Sequence, residues 1–366
     1  MTVALDVTAI PPQLTGAGVY VARLVDALAQ RGDVDLVLIT RKDDAARWAG
    51  KGKVHAVAPG SRPARLVWEQ TSAPAVARRI GASVWHGPHY TMPLRAGVPT
   101  VVTIHDLTFF DHPEYHERVK VPVFRRMIRT AAKRADVLVC VSDRTAERLR
   151  AVVDVRARVE VIPHGVDHDR FTPAGPDDDA AVASLGLRTP YLAYVGTIEP
   201  RKNIPGLVRA FARVREAHPD LRLALAGLPG WGTAEVDRII EAAGVASAVD
   251  RLGYVDDAVL PAFLRRAAAF AYPAFDEGFG LPVLEGLACG AVVVTSAGTV
   301  MDDVADGAAL LAKPGDDVAL ANALLRALSD DVEAARLRAA GPTVAARYTW
   351  EANAAAHAAL YASLGG

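Results

Sequence analysis

Residues 191–203 read YLAYVGTIEPRKN, and the change along this stretch from an apolar run to a loop and then a helix decides the fold. Residues 191–195 carry no charge and are rich in aromatic and apolar side chains, which predicts a strand covered on both faces. A glycine, a proline and two cations follow, and a helix is expected from Asn203. Buried strands that lead into helices are typical of the parallel sheets of α/β proteins.

The same alternation of short apolar runs with longer amphipathic segments extends over almost the whole chain. It predicts an α/β protein of two Rossmann-like, doubly wound domains that face each other across a cleft. Besides 191–195, the predicted strands are 3–7, 34–39, 100–104, 137–141, 159–162, 221–226, 268–271 and 291–295. The predicted helices are 17–30, 118–134, 143–152 with Ser142 as N-cap, one from Asn203, one around 234–243, one from Leu281 and a last one after Thr349.

A break in this alternation at residues 172–179, TPAGPDDD, divides the chain. Two prolines, a glycine and an acidic run have the composition of a linker. The break predicts an N-terminal domain over 1–172 and a C-terminal domain over 180–348. The last helix, about 349–366, is expected to pack back on the N-terminal domain.

Composition excludes several classes of protein. The chain of 366 residues has 41 basic and 42 acidic side chains and a formal net charge of -1, which argues against a general nucleic-acid binder. Cys140 and Cys289 are far apart, so neither a disulfide framework nor a zinc site is expected. The N-terminus does not resemble a signal peptide, and no long uncharged apolar run is present, so a cytoplasmic protein is expected.

Ligands of open parallel sheets bind beyond the carboxyl ends of the strands, so the loops after strands are the candidate sites. After the first strand, Thr15-Gly16-Ala17-Gly18 opens the first long helix. Glycines at a helix N-terminus allow backbone N–H groups to approach an anion such as a phosphate. The stretch matches neither the dinucleotide-binding nor the Walker pattern, and a plain loop-helix junction remains an alternative.

After the strand at 191–195, Gly196 leads to the adjacent cations Arg201 and Lys202. An arginine can grip a diphosphate with two hydrogen bonds and a lysine adds a point charge, so the pair suits a diphosphate leaving group. The alternative is a solvated basic pair in a loop.

The segment 275–286, FDEGFGLPVLEG, combines two carboxylates with glycines at a helix start. Glu277 lies in the loop and Glu285 about one turn into the helix, where the two can accept sugar and ribose hydroxyls. Backbone N–H groups at Gly278 and Gly280 suit a phosphate. The alternative is an acidic loop followed by a helix whose first turn carries a dipole-stabilising glutamate.

His105, at the end of the strand at 100–104, is placed to bind a sugar or acceptor hydroxyl, whereas for His86 a structural role is favoured. Neither an H-E-x-x-H motif nor a cysteine cluster occurs, so no metal is expected.

Taken together, these motifs resemble the retaining family-4 glycosyltransferases of GT-B fold. Glu277 and Glu285 form the E-x7-E pattern of that family, and further landmarks follow in the family's order. These are Trp68-Glu69-Gln70, Thr103-Ile104-His105-Asp106, Ile162–Asp167, Gly196–Asn203 and Tyr348-Thr349-Trp350.

The resemblance implies a role for each candidate residue. Gly16, with Gly18 beside it, would approach the donor phosphate or sugar, and His105 and Glu277 would contact the transferred sugar. The remaining donor-binding residues would be Gly196, Arg201 and Lys202 at the diphosphate, Gly278, Phe279, Gly280 and Leu281 beside Glu277, Glu285 at the ribose, and Tyr254 and Val255 near the nucleobase.

The resemblance also implies retention of anomeric configuration, no metal and no cofactor beyond a nucleotide-diphosphate sugar as co-substrate. The Thr-Gly-x-Gly-x-Tyr and Glu-Pro-Arg-Lys-Asn stretches look most like a mannosyltransferase branch, so GDP-mannose is the first expectation for the donor. The N-terminal domain would take the acceptor, which would be a glycan, a lipid-linked molecule or a small molecule.

Two other classes stay open, a nucleotide-sugar epimerase or hydrolase of the same fold and a non-catalytic nucleotide-sugar-binding protein. The segment from Arg118 to Arg134 is rich in cations. A peripheral contact with an anionic membrane at its inner face is one interpretation, and a solvated helix face is the other.

Overall fold

The computed structural model describes residues 1–11, 13–14 and 16–365. The chain divides into two compact units. The first unit contains Met1–Gly165 together with Trp350–Gly366, and the second unit contains Val166–Thr349.

Within the described residues, the first unit contains a parallel sheet of seven strands in the order β3-β2-β1-β4-β5-β6-β7. The strands are β1 Thr2–Asp6, β2 Asp35–Arg41, β3 Lys53–Ala58, β4 Val84–Gly87, β5 Thr100–Ile104, β6 Val137–Cys140 and β7 Arg158–Val161. The helices that connect them are α1 Ala17–Arg31, α2 Arg62–Thr71, α3 Ala73–Arg79, α4 Thr108–Asp111, α5 Lys120–Arg134 and α6 Asp143–Val152.

The second unit, over the same described part of the chain, contains a parallel sheet of six strands in the order β10-β9-β8-β11-β12-β13. The strands are β8 Tyr191–Val195, β9 Arg222–Ala226, β10 Val249–Gly253, β11 Ala269–Tyr272, β12 Val293–Ser296 and β13 Ala309–Ala312. The helices are α7 Asp178–Ser184, α8 Ile204–Ala217, α9 Thr233–Ala242, α10 Leu260–Arg265, α11 Leu281–Ala288, α12 Val300–Ala305, α13 Asp317–Ser329 and α14 Asp331–Ala345.

The central strands are apolar along their whole length because helices cover both faces of each sheet. Every residue of β5 is buried, and Val102 and Ile104 pack with Ile128 of α5 in one apolar cluster. Trp85 of β4 packs in a separate cluster with Val76 of α3. Helices therefore shield the sheet, which explains why these strands show uninterrupted apolar runs and no alternation.

The predicted elements largely coincide with those observed, and the differences at their ends are one or two residues. The strands at 100–104 and 191–195 and the helix at 143–152 have the predicted bounds. The N-cap prediction for Ser142 is confirmed, because its hydroxyl accepts a hydrogen bond from the Thr145 N–H at 3.1 Å. The helix expected from Asn203 begins one residue later, since Asn203 adopts a left-handed conformation with φ of 54°.

The predicted linker at 172–179 is wrong as a domain boundary. The chain enters the second unit at Val166, and α7 begins within the supposed linker at Asp178. Arg265 holds this segment by donating to both carboxylate oxygens of Asp178, at 2.7 and 2.6 Å, and to the Thr172 carbonyl at 3.0 Å. Acidic residues are favourable in the first turn of a helix. The acidic run that suggested a linker is therefore explained by the start of α7.

The last helix, α15 Trp350–Leu364, lies with the first unit and is held there by buried polar contacts. The His357 Nδ1–H donates to the Asn353 carbonyl at 2.9 Å, which leaves Nε2 to accept from the Tyr20 hydroxyl at 3.2 Å. The Tyr361 hydroxyl lies 2.7 Å from His86 Nδ1. His86 is therefore a structural residue that joins the sheet to α15.

These contacts predict that the stability of the protein depends on pH through His357. Burial lowers the pKa of His357 to about 4, whereas the ordinary pKa of histidine is about 6.5. Between these two pH values the unfolded chain is protonated at His357 and the folded chain is not. The contribution of neutral His357 to the free energy of unfolding is therefore fully present above pH 6.5. The free energy of unfolding falls by about 3 kcal/mol between pH 6.5 and pH 4 because of His357 alone. Urea unfolding at pH 7, 5.5 and 4.5 measures the effect.

The variant His357→Phe should show a flatter dependence of unfolding free energy on pH than the wild type. Leu360, a buried residue of the same helix that does not titrate, supplies the control, and Leu360→Met should retain the wild-type slope. Equal slopes for wild type and His357→Phe would contradict the assignment of this acid sensitivity to His357.

Candidate active site

The order of the strands in the second sheet creates a crevice at β8 and β11. The chain runs outward from β8 through β9 to β10 and then resumes on the other side of β8 with β11, β12 and β13. At such a reversal the loops after the two neighbouring strands diverge, and ligands of open parallel sheets bind between them. The loops in question are 196–203 after β8 and 273–280 after β11.

The loop after β8 is shaped by Gly196. Its φ is 145°, and a Cβ at this position would lie 2.9 Å from the Tyr194 hydroxyl, so only glycine fits. A short 3-10 turn, Pro200–Lys202, then precedes α8 and places Arg201 and Lys202 side by side.

Both cations contact Glu277 from the loop after β11. The Arg201 Nη1 donates to Glu277 Oε2 at 2.5 Å and to the Asp276 carbonyl at 3.2 Å, and the Lys202 ammonium donates to Glu277 Oε1. The backbone N–H of Phe275 donates to the Arg201 carbonyl at 2.9 Å, which ties the two loops together. The structure therefore brings three of the predicted site residues into one cluster.

Glu277 remains ionised in this cluster although it is nearly buried. Burial alone raises the pKa of a carboxyl group, but the charges of Arg201 and Lys202 and the hydrogen bonds from both outweigh it and lower the pKa of Glu277 to about 2. The pKa of Lys202 is lowered by burial and by the neighbouring Arg201, with Glu277 opposing both. Glu199 pairs with the second arm of Arg201 at 3.1 Å and completes the neutralisation of the cluster.

Tyr272 is a part of this cluster that the sequence analysis did not identify. Its hydroxyl accepts from the Lys202 ammonium at 2.6 Å and donates to Glu277 Oε1 at 2.8 Å. Tyr272 is the last residue of β11, and its position at a strand's carboxyl end is the signal that could have indicated it.

The helix after the second loop begins as the sequence predicts. Gly280 has a φ of 92° and precedes α11, which starts at Leu281 with Pro282 in its first turn. Glu285 is the fifth residue of α11 and is half-buried, whereas Gly278 and Phe279 are buried.

The predicted nucleobase residues follow the edge strand β10. Tyr254 is 44% exposed, and its hydroxyl donates to Asp257 at 3.3 Å, whereas Val255 is buried. Both residues follow a strand of the second sheet at its carboxyl end, and their role at a nucleobase stays a prediction.

In the first unit the equivalent reversal of strand order lies at β1 and β4. Gly16 precedes α1 and Gly18 lies in its first turn, whereas Thr15 of the quoted motif lies outside the described residues. His105 follows β5 and donates through Nε2 to the Pro88 carbonyl at 2.7 Å. Burial lowers the pKa of His105, so the neutral ring offers Nδ1 as an acceptor.

Neither a metal centre nor a membrane span is found in the part of the chain that the structure describes. No group of three or more histidine, cysteine, aspartate or glutamate side chains there is arranged to hold a metal ion. Likewise, no described helix combines the length and apolar composition that crossing a bilayer requires.

Two family models together cover most of the chain. The model described as "Glycosyltransferase Family 4" matches residues 14–170, and the model described as "Glycosyl transferases group 1" matches residues 177–344. These two stretches correspond to most of the first unit and most of the second.

Individual proteins match over longer stretches. O-antigen chain mannosyltransferase B of Escherichia coli is 32% identical over 272 residues, which are 73% of this chain and 71% of that protein. The GDP-mannose-dependent monoacylated alpha-(1-6)-phosphatidylinositol monomannoside mannosyltransferase of Corynebacterium glutamicum is 28% identical over 358 residues, 93% of this chain and 92% of that protein. The solved structure of sucrose-phosphate synthase from Thermosynechococcus elongatus is similar with a TM-score of 0.83 and 24% identity, covering 99% of this chain and 98% of that chain.

Two doubly wound parallel sheets and these similarities define an enzyme of the glycosyltransferase class with the GT-B fold. The chain belongs to the family-4 glycosyltransferases, with a group 1 glycosyltransferase domain in its second unit. The predicted fold class and the predicted resemblance are thereby confirmed. Of the functional classes that the sequence left open, the transferase is the one that family membership supports.

The buried ion-pair cluster predicts a large difference between two lysine variants. Lys202→Met should destabilise the protein by about 3–5 kcal/mol, because it leaves part of the buried charge of Glu277 uncompensated. Lys120→Met removes the exposed pair with Glu117, whose atoms lie 2.5 Å apart, and should cost about 1 kcal/mol or less. Urea unfolding at pH 7 measures both, and similar losses in the two variants would contradict the buried pairing of Lys202.

Proposed function

We propose that the protein transfers a hexose, with mannose as the first candidate, from a nucleotide-diphosphate sugar to a hydroxyl acceptor with retention of anomeric configuration. The observation that carries this proposal is the buried cluster of Arg201, Lys202 and Glu277 at the strand reversal of the second sheet. The acceptor would be a glycan, a lipid-linked molecule or a small molecule.

The two cations suit the diphosphate of the donor. An ammonium has three donors, of which Tyr272 and Glu277 take two, so the third can serve a phosphate oxygen. Arg201 is held at three oxygens, those of Glu277, Asp276 and Glu199, which fixes the plane of its guanidinium before any ligand arrives. Cations fixed in advance stabilise the charge that develops on a departing diphosphate without reorganisation.

The state of Glu277 bears on the mechanism. A carboxylate with a pKa of about 2 that accepts from Arg201, Lys202 and Tyr272 is a weak base and a poor nucleophile. It is better suited to accept a hydrogen bond from a sugar hydroxyl than to remove the acceptor's proton. The departing phosphate oxygen is a base that the reaction itself supplies on the face where the bond breaks, which supports a retaining course without an enzyme nucleophile.

His105 is proposed to contact the transferred sugar. Its Nε2–H is occupied by the Pro88 carbonyl, and Tyr20 lies edge-on at 5.1 Å between ring centroids. The neutral ring therefore has a fixed orientation and offers Nδ1 to a hydroxyl donor.

GDP-mannose is proposed as the donor because the Corynebacterium glutamicum relative is named as GDP-mannose-dependent and the Escherichia coli relative as a mannosyltransferase. Tyr254, Val255 and Glu285 would hold the nucleoside, and Gly16 and Gly18 are proposed to contact the donor phosphate or sugar.

A thermal-shift screen with GDP, UDP, ADP and dTDP sugars tests the donor, since a ligand that binds only the folded state raises the unfolding temperature. GDP-mannose should give the largest rise. The variant Glu277→Gln should lower kcat/KM by about 100-fold or more, because the charged acceptor for the sugar is lost. A comparison of its circular dichroism spectrum with that of the wild type separates this loss of transfer from a loss of fold.

The half-buried residue Glu333, which pairs with Arg336 at 2.8 Å on α14, supplies the matched control. Glu333→Gln should leave transfer unchanged. Unchanged transfer in Glu277→Gln would overturn the assignment of that carboxylate, and a larger thermal shift with another nucleotide would overturn the choice of GDP-mannose.

We also propose that α5 contacts an anionic membrane from its inner face. Val119 and Val123 are 75% and 42% exposed beside exposed cations, which combines an apolar and a basic surface at one helix. The exposed cations of this helix and of the two residues before it are Arg118, Arg126, Arg129, Lys133 and Arg134. Arg125 is turned inward, where it donates to the Phe109 carbonyl at 2.7 Å, so the membrane surface has fewer charges than the sequence suggests.

Sedimentation with vesicles tests this surface. The protein should pellet with phosphatidylserine-containing vesicles at low salt and not with neutral ones, because each cation near an anionic surface contributes about 1 kcal/mol. The double variant Arg126→Glu/Arg129→Glu should lose this binding, whereas Arg213→Glu/Arg238→Glu, with the same change in net charge on exposed residues of the second unit, should retain it. Equal losses in the two variants would indicate an unspecific charge effect and reject the surface.

A further inference from the structure

We infer that Tyr272 is a positioning residue of the donor site, whose buried hydroxyl sets the directions of the Lys202 ammonium and the Glu277 carboxylate relative to each other. The inference rests on the proposed function for its consequences in binding. The contacts that support it lie within the second unit.

The direction of the hydrogen bonds follows from their chemistry. An ammonium can only donate, so the Tyr272 oxygen accepts from Lys202 at 2.6 Å. An ionised carboxylate can only accept, so the phenol proton points to Glu277 Oε1 at 2.8 Å. Lys202 also donates directly to the same carboxylate oxygen, which closes a triangle of three polar atoms.

The ring of Tyr272 is held firmly enough to act as a reference. Its side chain is 1% exposed and stacks on Tyr194 with ring centroids 6.1 Å apart and planes at 12°. The Tyr272 carbonyl accepts from the Thr295 hydroxyl at 2.9 Å, and β11 lies between β8 and β12 in the sheet. The Lys202 ammonium lies 5.1 Å from the ring centroid, which adds a cation–π contact.

This arrangement removes the freedom that a lysine otherwise has. Lysine carries its charge on a flexible four-carbon stem with three rotatable donors. When Tyr272 and Glu277 fix two N–H directions, tetrahedral geometry fixes the third, and that donor is the one offered to a phosphate. A donor that is oriented before the ligand binds avoids the loss of rotamer entropy on binding.

The phenylalanine variant isolates the hydroxyl. Tyr272→Phe keeps the ring, its stacking and the cation–π contact and removes the two hydrogen bonds. Loss of a hydrogen bond to a charged group predicts about tenfold weaker binding of a nucleoside diphosphate at pH 7. The pKa of Lys202 should fall further when the acceptor oxygen is lost, so the pH range of tight binding should narrow from the alkaline side.

Tyr191→Phe is a matched control. Tyr191 is fully buried in the same unit, and its hydroxyl donates to the Phe263 carbonyl at 2.8 Å, but it lies at the opposite end of β8 from Lys202. The variant Tyr191→Phe therefore removes a buried phenol hydroxyl without changing a contact of Lys202 or Glu277.

The experiment is isothermal titration of wild type, Tyr272→Phe and Tyr191→Phe with GDP, and separately with UDP, between pH 5 and 10. Weaker binding and a narrower pH range in Tyr272→Phe alone support the inference. If the wild type binds and the two variants behave alike, the positioning role is overturned and the proposed function stands.

A second measurement decides the case without relying on ligand binding. The unfolding temperatures of Tyr272→Phe, Glu277→Gln and the double variant form a cycle. If the hydroxyl and the carboxylate interact as described, the double variant should lose clearly less than the sum of the single losses. Additive losses overturn the inference, whereas failure of the wild type to bind GDP or UDP overturns only the proposed donor.

Discussion

The carboxylate of Glu277 is the charge on which the candidate site of the second unit depends. Three donors from one loop and one strand converge on it, namely Arg201, Lys202 and Tyr272. A buried charge is tolerated only when it is paired and hydrogen-bonded, so the loops after β8 and β11 must both adopt their observed paths for the unit to be stable. The same requirement that stabilises the fold thus assembles the residues proposed to bind the donor.

The strand reversal explains why this cluster occurs where it does. β8 and β11 are neighbours in the sheet although about 75 residues separate Lys202 from Glu277 along the chain. Gly196 lets the first loop pass over Tyr194, and Gly280 lets the second loop turn into α11. Fold and site are therefore coupled at two glycines and one ion-pair cluster, and the remainder of each helix serves mainly to shield the sheet.

The sequence predicted the α/β class and most elements because apolar runs in parallel sheets are buried on both faces and end at loops with recognisable glycines. It also indicated Arg201, Lys202 and Glu277, since charged residues after a buried strand are conspicuous. It could not show that these three residues contact one another, because that depends on which strands are neighbours. It missed Tyr272 for a related reason, since a tyrosine at the end of a strand looks like a core residue until its partners are known. The supposed linker at 172–179 failed because helix starts and linkers share acids, prolines and glycines.

Because α15 belongs to the first unit, the unit that begins the chain is the last to have all of its residues synthesised. All residues of the second unit leave the ribosome before Tyr361 and His357, which are the partners of His86 and Tyr20. Until α15 has been synthesised, the first unit therefore lacks a layer of its core, although its sheet precedes the second unit in the sequence. No single cut of the chain separates the two units intact, because the first is assembled from segments on both sides of the second.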